Sequence, residues 1–178
     1  NLEEEGQEKL LNTNCLIVGA GGLGCPVALY ASAAGFGHIE IYDQDIIEIS
    51  NLNRQIAHKN DKIGINKAEN LVKECLKINP NISLISKKKI FDETININNF
   101  DLIFDCSDNP ETKYILNSLS HKNKKILISG SAVQMEAQLA IWKSGLNETL
   151  PCYECVFPRT NEIAPVTNCR DAGIIGPV

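Results

Sequence analysis

Side chains suited to handling a nucleotide's phosphates recur along this 178-residue chain. Gly19-Ala20-Gly21-Gly22-Leu23-Gly24 has the spacing Gly-x-Gly-x-x-Gly. Glycines there let a phosphate approach the backbone, and the free amides at a following helix start face the anion. Asp43 falls 19 residues after Gly24, where an acid can accept hydrogen bonds from ribose hydroxyls; a solvated strand-end acid is the alternative. Ser50-Asn51-Leu52-Asn53-Arg54-Gln55 suits either a surface turn or a set of donors, and the fork of Arg54 could pair two phosphate oxygens at once. Lys67 opens a helix-forming stretch, where a cation opposes the dipole; a ligand-serving lysine and a solvated one both fit. Cys152-Tyr153-Glu154-Cys155 has the spacing of half a tetrahedral zinc site. A redox pair is the rival, but Phe157-Pro158 follows rather than a thioredoxin-like helix.

These residues need elements to hold them. Residues 3–11 read as an N-terminal helix. Cys15–Val18 reads as a strand running into the glycine turn, and Leu23–Ala34 as a helix with Gly35 at its end. His38–Asp43 is the second strand. Lys67–Ile78 is a helix with Leu71, Cys75 and Ile78 on one face, stopped by Asn79-Pro80. Ile82–Ser86 is the third strand, followed by Lys87-Lys88-Lys89 as a solvated edge. Leu102–Cys106 is the fourth strand; it ends in Ser107-Asp108-Asn109, and Pro110 opens a helix to His121 at a favoured first position. Lys125–Ser129 is the fifth strand, and Glu136–Trp142 alternates like a sixth. Strands alternating with helices predict an α/β, Rossmann-like, doubly wound and mostly parallel sheet with helices on both faces. In such sheets ligands bind beyond the carboxyl ends of the strands, the edge expected to carry Gly19, Asp43 and the Ser107-Asp108-Asn109 turn. Residues 143–178 show no regular pattern.

The length suits one domain with its own core. No apolar run approaches the ~20 residues that span a bilayer, so no membrane association is expected. A net charge of −5 argues against a general nucleic-acid binder. Seven cysteines make a poor disulfide framework; Cys15, Cys25, Cys75 and Cys106 lie on or beside apolar segments and read as core residues. His38, His58 and His121 are not spaced to complete a zinc site with Cys152 and Cys155. The chain opens without an initiator Met and stops at Gly176-Pro177-Val178. A fragment is therefore expected, truncated at both ends, with its C-terminal strands and the other zinc ligands beyond Val178.

Taken together, seven stretches in order resemble the ubiquitin-activating-type adenylyltransferase family, MoeB/ThiF-like and including molybdopterin-synthase sulfurylase-type proteins. They are the glycine turn, Asp43-Gln44-Asp45, Ser50 to Gln55, Gly64-Ile65-Asn66-Lys67, Asp105 to Asn109, Pro151 to Cys155, and Cys169-Arg170-Asp171-Ala172-Gly173-Ile174-Ile175-Gly176-Pro177-Val178. The resemblance implies ATP-dependent adenylation of the C-terminal Gly-Gly of a ubiquitin-like sulfur-carrier protein, by a homodimer located in the cytoplasm. It implies nucleotide contacts from Gly19, Gly21, Gly22, Gly24, Ser50, Asn51, Asn53 and Asn109, with Asp43 on the ribose. Arg54 and Lys67 would neutralise the phosphates with magnesium, which Asp108 would hold. Cys152 and Cys155 match the first half of a structural zinc site, and Cys169 matches a cysteine that some members load with the activated partner. An activating enzyme handing on a thioester through Cys169 is the close alternative. A tRNA-modifying dehydratase branch, a nicotinamide oxidoreductase and a non-catalytic binding subunit are the others. Gln134-Met135-Glu136-Ala137-Gln138 departs from the family, which usually has an Arg in this region and Gly before Gln138.

Overall fold

A computed structural model describes residues 3–159 of the chain. Its centre is a six-stranded sheet: β1 (Asn14–Val18), β2 (His38–Tyr42), β3 (Ser83–Lys87), β4 (Leu102–Asp105), β5 (Ile126–Val133) and β6 (Glu136–Trp142), in the order β3-β2-β1-β4-β5-β6. The first five strands run parallel, and β6 returns antiparallel along β5, with Val133 opposite Glu136. Gln134, at φ 56°, turns that hairpin. Between β1 and β4 the order reverses direction, the position where open α/β sheets bind ligands.

The strands that are buried on both faces are continuous apolar runs. In β1, Cys15, Leu16 and Ile17 are wholly inaccessible. Cys15 and Ile17 pack under α2 (Gly24–Ala34) and α3 (Lys67–Ile78), together with Ala28, Leu71 and Cys75. Leu16 and Val18 face the other core, with Leu116 of α4 (Pro110–Lys122), Phe91 and Phe100. Small residues in α2 let it lie close on the sheet, and Gly35 ends it in a left-handed conformation. Asn66 and Asn109 cap α3 and α4 by accepting from Glu69 and Glu111 amides. A further helix, α1 (Glu4–Leu11), has no buried residue, and a helical turn, α5 (Tyr153–Val156), follows the sheet.

Three readings from sequence change. The fifth strand does not stop at Ser129 but carries Gly130 and Ser131 on to Val133, because β6 supplies a partner for each of them. The stretch 143–159 is not wholly irregular: it holds α5, whose Tyr153 packs on Trp142 and Tyr114. Lys87-Lys88-Lys89 is not simply a solvated edge. Lys87 ends β3 and lies 3.6 Å from Glu40, Lys88 pairs with Glu69, and Lys89 sits over the Tyr42 ring. Residues 160–178, and with them Cys169, lie outside the described residues.

Candidate functional site

At the carboxyl ends of β1, β2, β4 and β5 the loops enclose a cleft of about 580 Å³, within the range of small-molecule sites. The glycine turn forms its floor. Gly19 has φ +101°, and a Cβ on it would lie 2.5 Å from the Cys106 carbonyl oxygen, so the loops after β1 and β4 meet there only because Gly19 lacks a side chain. Gly24 opens α2 against the Gly19 carbonyl, with no room for a Cβ. Gly21 and Gly22 line the cleft; neither donates its amide to a protein group among the described residues.

Asp43 follows β2 and is tied into this turn. Its Oδ2 accepts from the Ala20 amide at 2.7 Å and its Oδ1 from the Asp45 amide at 2.8 Å. Burial raises its pKa above the usual carboxylate range, against the two amides and Lys67, which lower it. Each oxygen retains a lone pair for a ligand hydroxyl.

Three charged groups converge on the same cleft. Arg54 lays its stem over Gly22, and its guanidinium donates to the Ser50 carbonyl at 3.1 Å and to Asn53 Oδ1 at 3.0 Å. Among the described residues no carboxylate pairs with it. Lys67 is buried at the start of α3, with Nζ 3.0 Å from Asp45 Oδ2. That carboxylate explains how a lysine stands where the helix dipole disfavours it. Asp108 is exposed on the turn after β4, lines the cleft and has no protein partner among the described residues. An exposed, unpaired acid lining the cleft could serve as a magnesium ligand, since that ion takes one or two carboxylates plus phosphate oxygens.

The remaining expected contacts divide. Asn109 lines the cleft while capping α4. Ser50 and Asn53 hold Arg54 instead of lining the cleft, and Asn51 is buried, closing a capping box with Glu48. Four cleft residues carried no signal specific enough to assign from sequence. Gln55 is buried beneath Gly21 with no hydrogen-bond partner on its Oε1; only its place after Arg54 hinted at it. Lys113 reaches back from the second turn of α4 to Asp105 Oδ2 and the Gly130 carbonyl, each at 3.0 Å. Lys89 and Tyr153 complete the wall.

Cys152 and Cys155 are not among the residues that line the cleft, and their Sγ atoms lie 3.5 Å apart. Two thiolates on one tetrahedral zinc are about 3.8 Å apart, from ~2.3 Å bonds, so the pair fits half a site. Among the described residues no group of three or more His, Cys, Asp or Glu side chains could hold a metal. Burial raises the Cys152 pKa, but hydrogen bonds that its sulfur accepts from the Asn117 amide and from the Cys155 and Glu154 residues outweigh it and leave the thiol below its usual value.

The sequence model of the ThiF family matches residues 1–178. Over 177 residues the chain is 41% identical to the adenylyltransferase and sulfurtransferase UBA4 of Scheffersomyces stipitis, covering 96% of this chain and 39% of that protein. Over 176 residues it is 43% identical to the adenylyltransferase and sulfurtransferase MOCS3 of Dictyostelium discoideum, covering 97% and 41%. The chain thus spans about two-fifths of the length of these curated relatives. Among solved structures, E. coli MccB with ATP superposes at a TM-score of 0.72 and 28% identity, over 89% of this chain and 47% of that one. MccB with MccA-N7isoASN gives 0.75 and 28%, over 87% and 45%.

Proposed function

The chain belongs to the ThiF family, and we propose that it is the adenylating part of an ATP-dependent adenylyltransferase acting on the C-terminal Gly-Gly of a ubiquitin-like sulfur-carrier protein. The observation that carries this reading is the meeting of the glycine turn, Arg54, Lys67 and Asp108 in one cleft at the sheet's switch point. Relatives named as adenylyltransferases and an ATP-bound structural neighbour support it.

The chemistry requires two anions to meet. A carboxylate oxygen of the carrier bonds to the α-phosphorus, the bond from that phosphorus to the bridging oxygen breaks, and pyrophosphate leaves. No proton moves, so no general base is needed. Arg54 and Lys67 would offset the phosphate charge, which is the kind of stabilisation that dominates such reactions. Gly21 and Gly22 amides would add neutral donors, and Asp43 would accept from the ribose. Asp108 would hold magnesium, which supplies further positive charge on the phosphate oxygens when bound. Cys152 and Cys155 would contribute two of four ligands to a structural zinc. A homodimer belongs to the same reading: Ile49 and Ile56, on the loop that carries Arg54, are 72% and 65% exposed, and an interface there would cover them. No helix among the described residues is long and apolar enough to cross a membrane.

The test is carrier-dependent exchange of labelled pyrophosphate into ATP, with candidate partners ending in Gly-Gly and Arg54→Ala as the control. Exchange that needs the Gly-Gly end and collapses in the variant supports adenylation. Full-length protein that binds no ATP overturns it.

A further inference from the structure

Beneath the glycine turn lies a buried chain of polar groups that the adenylation chemistry leaves unused. His58 is 4% exposed and Asn70 1%. His58 Nε2 lies 2.9 Å from the Ala20 carbonyl oxygen, and its Nδ1 lies 3.0 Å from Asn70 Nδ2. Asn70 Nδ2 also donates to the Ala57 carbonyl at 3.1 Å, which fixes the amide's orientation. Nδ1 must then accept, so the proton sits on Nε2 and is donated to Ala20. Cys25 Sγ makes a second, weaker approach to the same oxygen at 3.5 Å.

In a planar trans peptide the C=O of one residue and the N–H of the next point in opposite directions. The Ala20 carbonyl points into the core, toward His58. The Gly21 amide therefore points the other way, into the cleft that Gly21 lines. A glycine can rotate freely about this link, so something must hold the peptide plane. Asp43 holds the other side of Ala20 through its amide.

We propose that His58, oriented by Asn70, is a positioning residue for nucleotide binding: by drawing the Ala20 carbonyl inward it presents the Gly21 amide to a phosphate group. This rests on the reading of the cleft as an ATP site. His58 touches no substrate and acts only through the peptide it anchors.

The experiment compares Kd for ATP and for adenosine in wild type, His58→Phe and His58→Gln, with a melting curve for each protein. Gln places an amide donor close to the position of Nε2; Phe keeps the ring and removes both nitrogens. His58→Phe is expected to weaken ATP about 10- to 100-fold, the scale of one hydrogen bond to a charged group, while adenosine changes less than about twofold. His58→Gln is expected to recover most of the ATP affinity. A folded His58→Phe that binds ATP like wild type overturns the proposal, as does an equal loss for ATP and adenosine, which would mean general collapse of the cleft. If His58→Phe does not fold, Asn70→Ser takes its place, and the same selective loss is required of it. Wild type that fails to bind ATP is a different failure, that of the site reading itself.

Discussion

Two lysines in the cleft make nearly the same contact and should respond oppositely to removal. Lys67 and Lys113 are both buried, and each Nζ lies 3.0 Å from an aspartate oxygen. Their partners differ: the Asp45 side chain is 41% exposed and the Asp105 side chain 1%. Replacing Lys113 by Met strands a carboxylate inside the protein, a change that typically costs about 3–5 kcal/mol. Replacing Lys67 by Met leaves Asp45 in contact with water and removes a buried ammonium, so the net cost is expected within about 1 kcal/mol. For a domain of this size each kcal/mol moves Tm by about 2–4 °C. Lys113→Met should therefore melt roughly 6–20 °C lower, and Lys67→Met within about 4 °C of wild type. Activity should reverse the ranking below the melting range. If Lys67 offsets the phosphate charge as proposed, Lys67→Met should lower pyrophosphate exchange about 10²- to 10³-fold, as loss of a preorganised donor does. The assays are a thermal melt and exchange at one temperature where both variants are folded. If the two variants melt together, partner exposure is not what sets the cost. If Lys67→Met keeps its exchange rate, Lys67 is a structural lysine.

Gly24→Ala must push the Gly19 carbonyl aside; a loss of about 1–3 kcal/mol in a urea titration is expected, together with weakened ATP binding. In protein stripped of zinc, alkylation at about pH 8 should label Cys152 well before Cys15, Cys25 and Cys106, since thiolate is the nucleophile. Burial pushes the latter three up to about 12, while Cys152 lies below its usual value; mass spectrometry of a partial reaction reads the order. Burial also lowers the His58 pKa from 6.5. Below 6.5 the unfolded chain takes up a proton that the folded chain refuses, so stability falls as pH drops through that window. The wild-type urea midpoint should therefore fall between about pH 7.5 and about pH 5.5 by more than that of His58→Gln, and equal falls would refute it.

The sheet was legible because its signals are local. Cys15–Val18 is an apolar run ending in glycines, and the helix stops at Gly35 and Asn79-Pro80 are written in single residues. The end of β5 was not local: Gly130 and Ser131 have no strand character, and they join the sheet only because Leu139 and Gln138 of β6 lie opposite. The same division runs through the site. Gly19, Gly21, Gly24 and Asp43 could be read from spacing, since one turn and one strand end fix them. Arg54 and Lys67 gained a role only when several motifs were read together, because an arginine in a polar loop and a lysine at a helix start are each ordinary.

What stayed hidden depends on burial rather than on residue type. Lys113 looks like any lysine on a helix until Asp105, eight residues earlier in the chain, is found inaccessible beside it. His58 looks like a surface histidine next to Lys59, yet it is enclosed between Cys25 and Asn70. Conversely, Ser50 and Asn53 look like phosphate donors and are placed to hold the guanidinium of Arg54. The polar run around Arg54 is therefore better understood as a bracket for one cation than as a set of equal ligands. Substitutions at Asn53 should then act through the position of Arg54, whereas Ser50 offers a backbone carbonyl that a side-chain change leaves in place. Asn53→Ala removes one of its two acceptors, so a several-fold loss of exchange is expected in the Arg54 background and none once Arg54 is already Ala. A double-mutant cycle on pyrophosphate exchange measures that coupling, and additive losses would show that Asn53 meets the nucleotide on its own account.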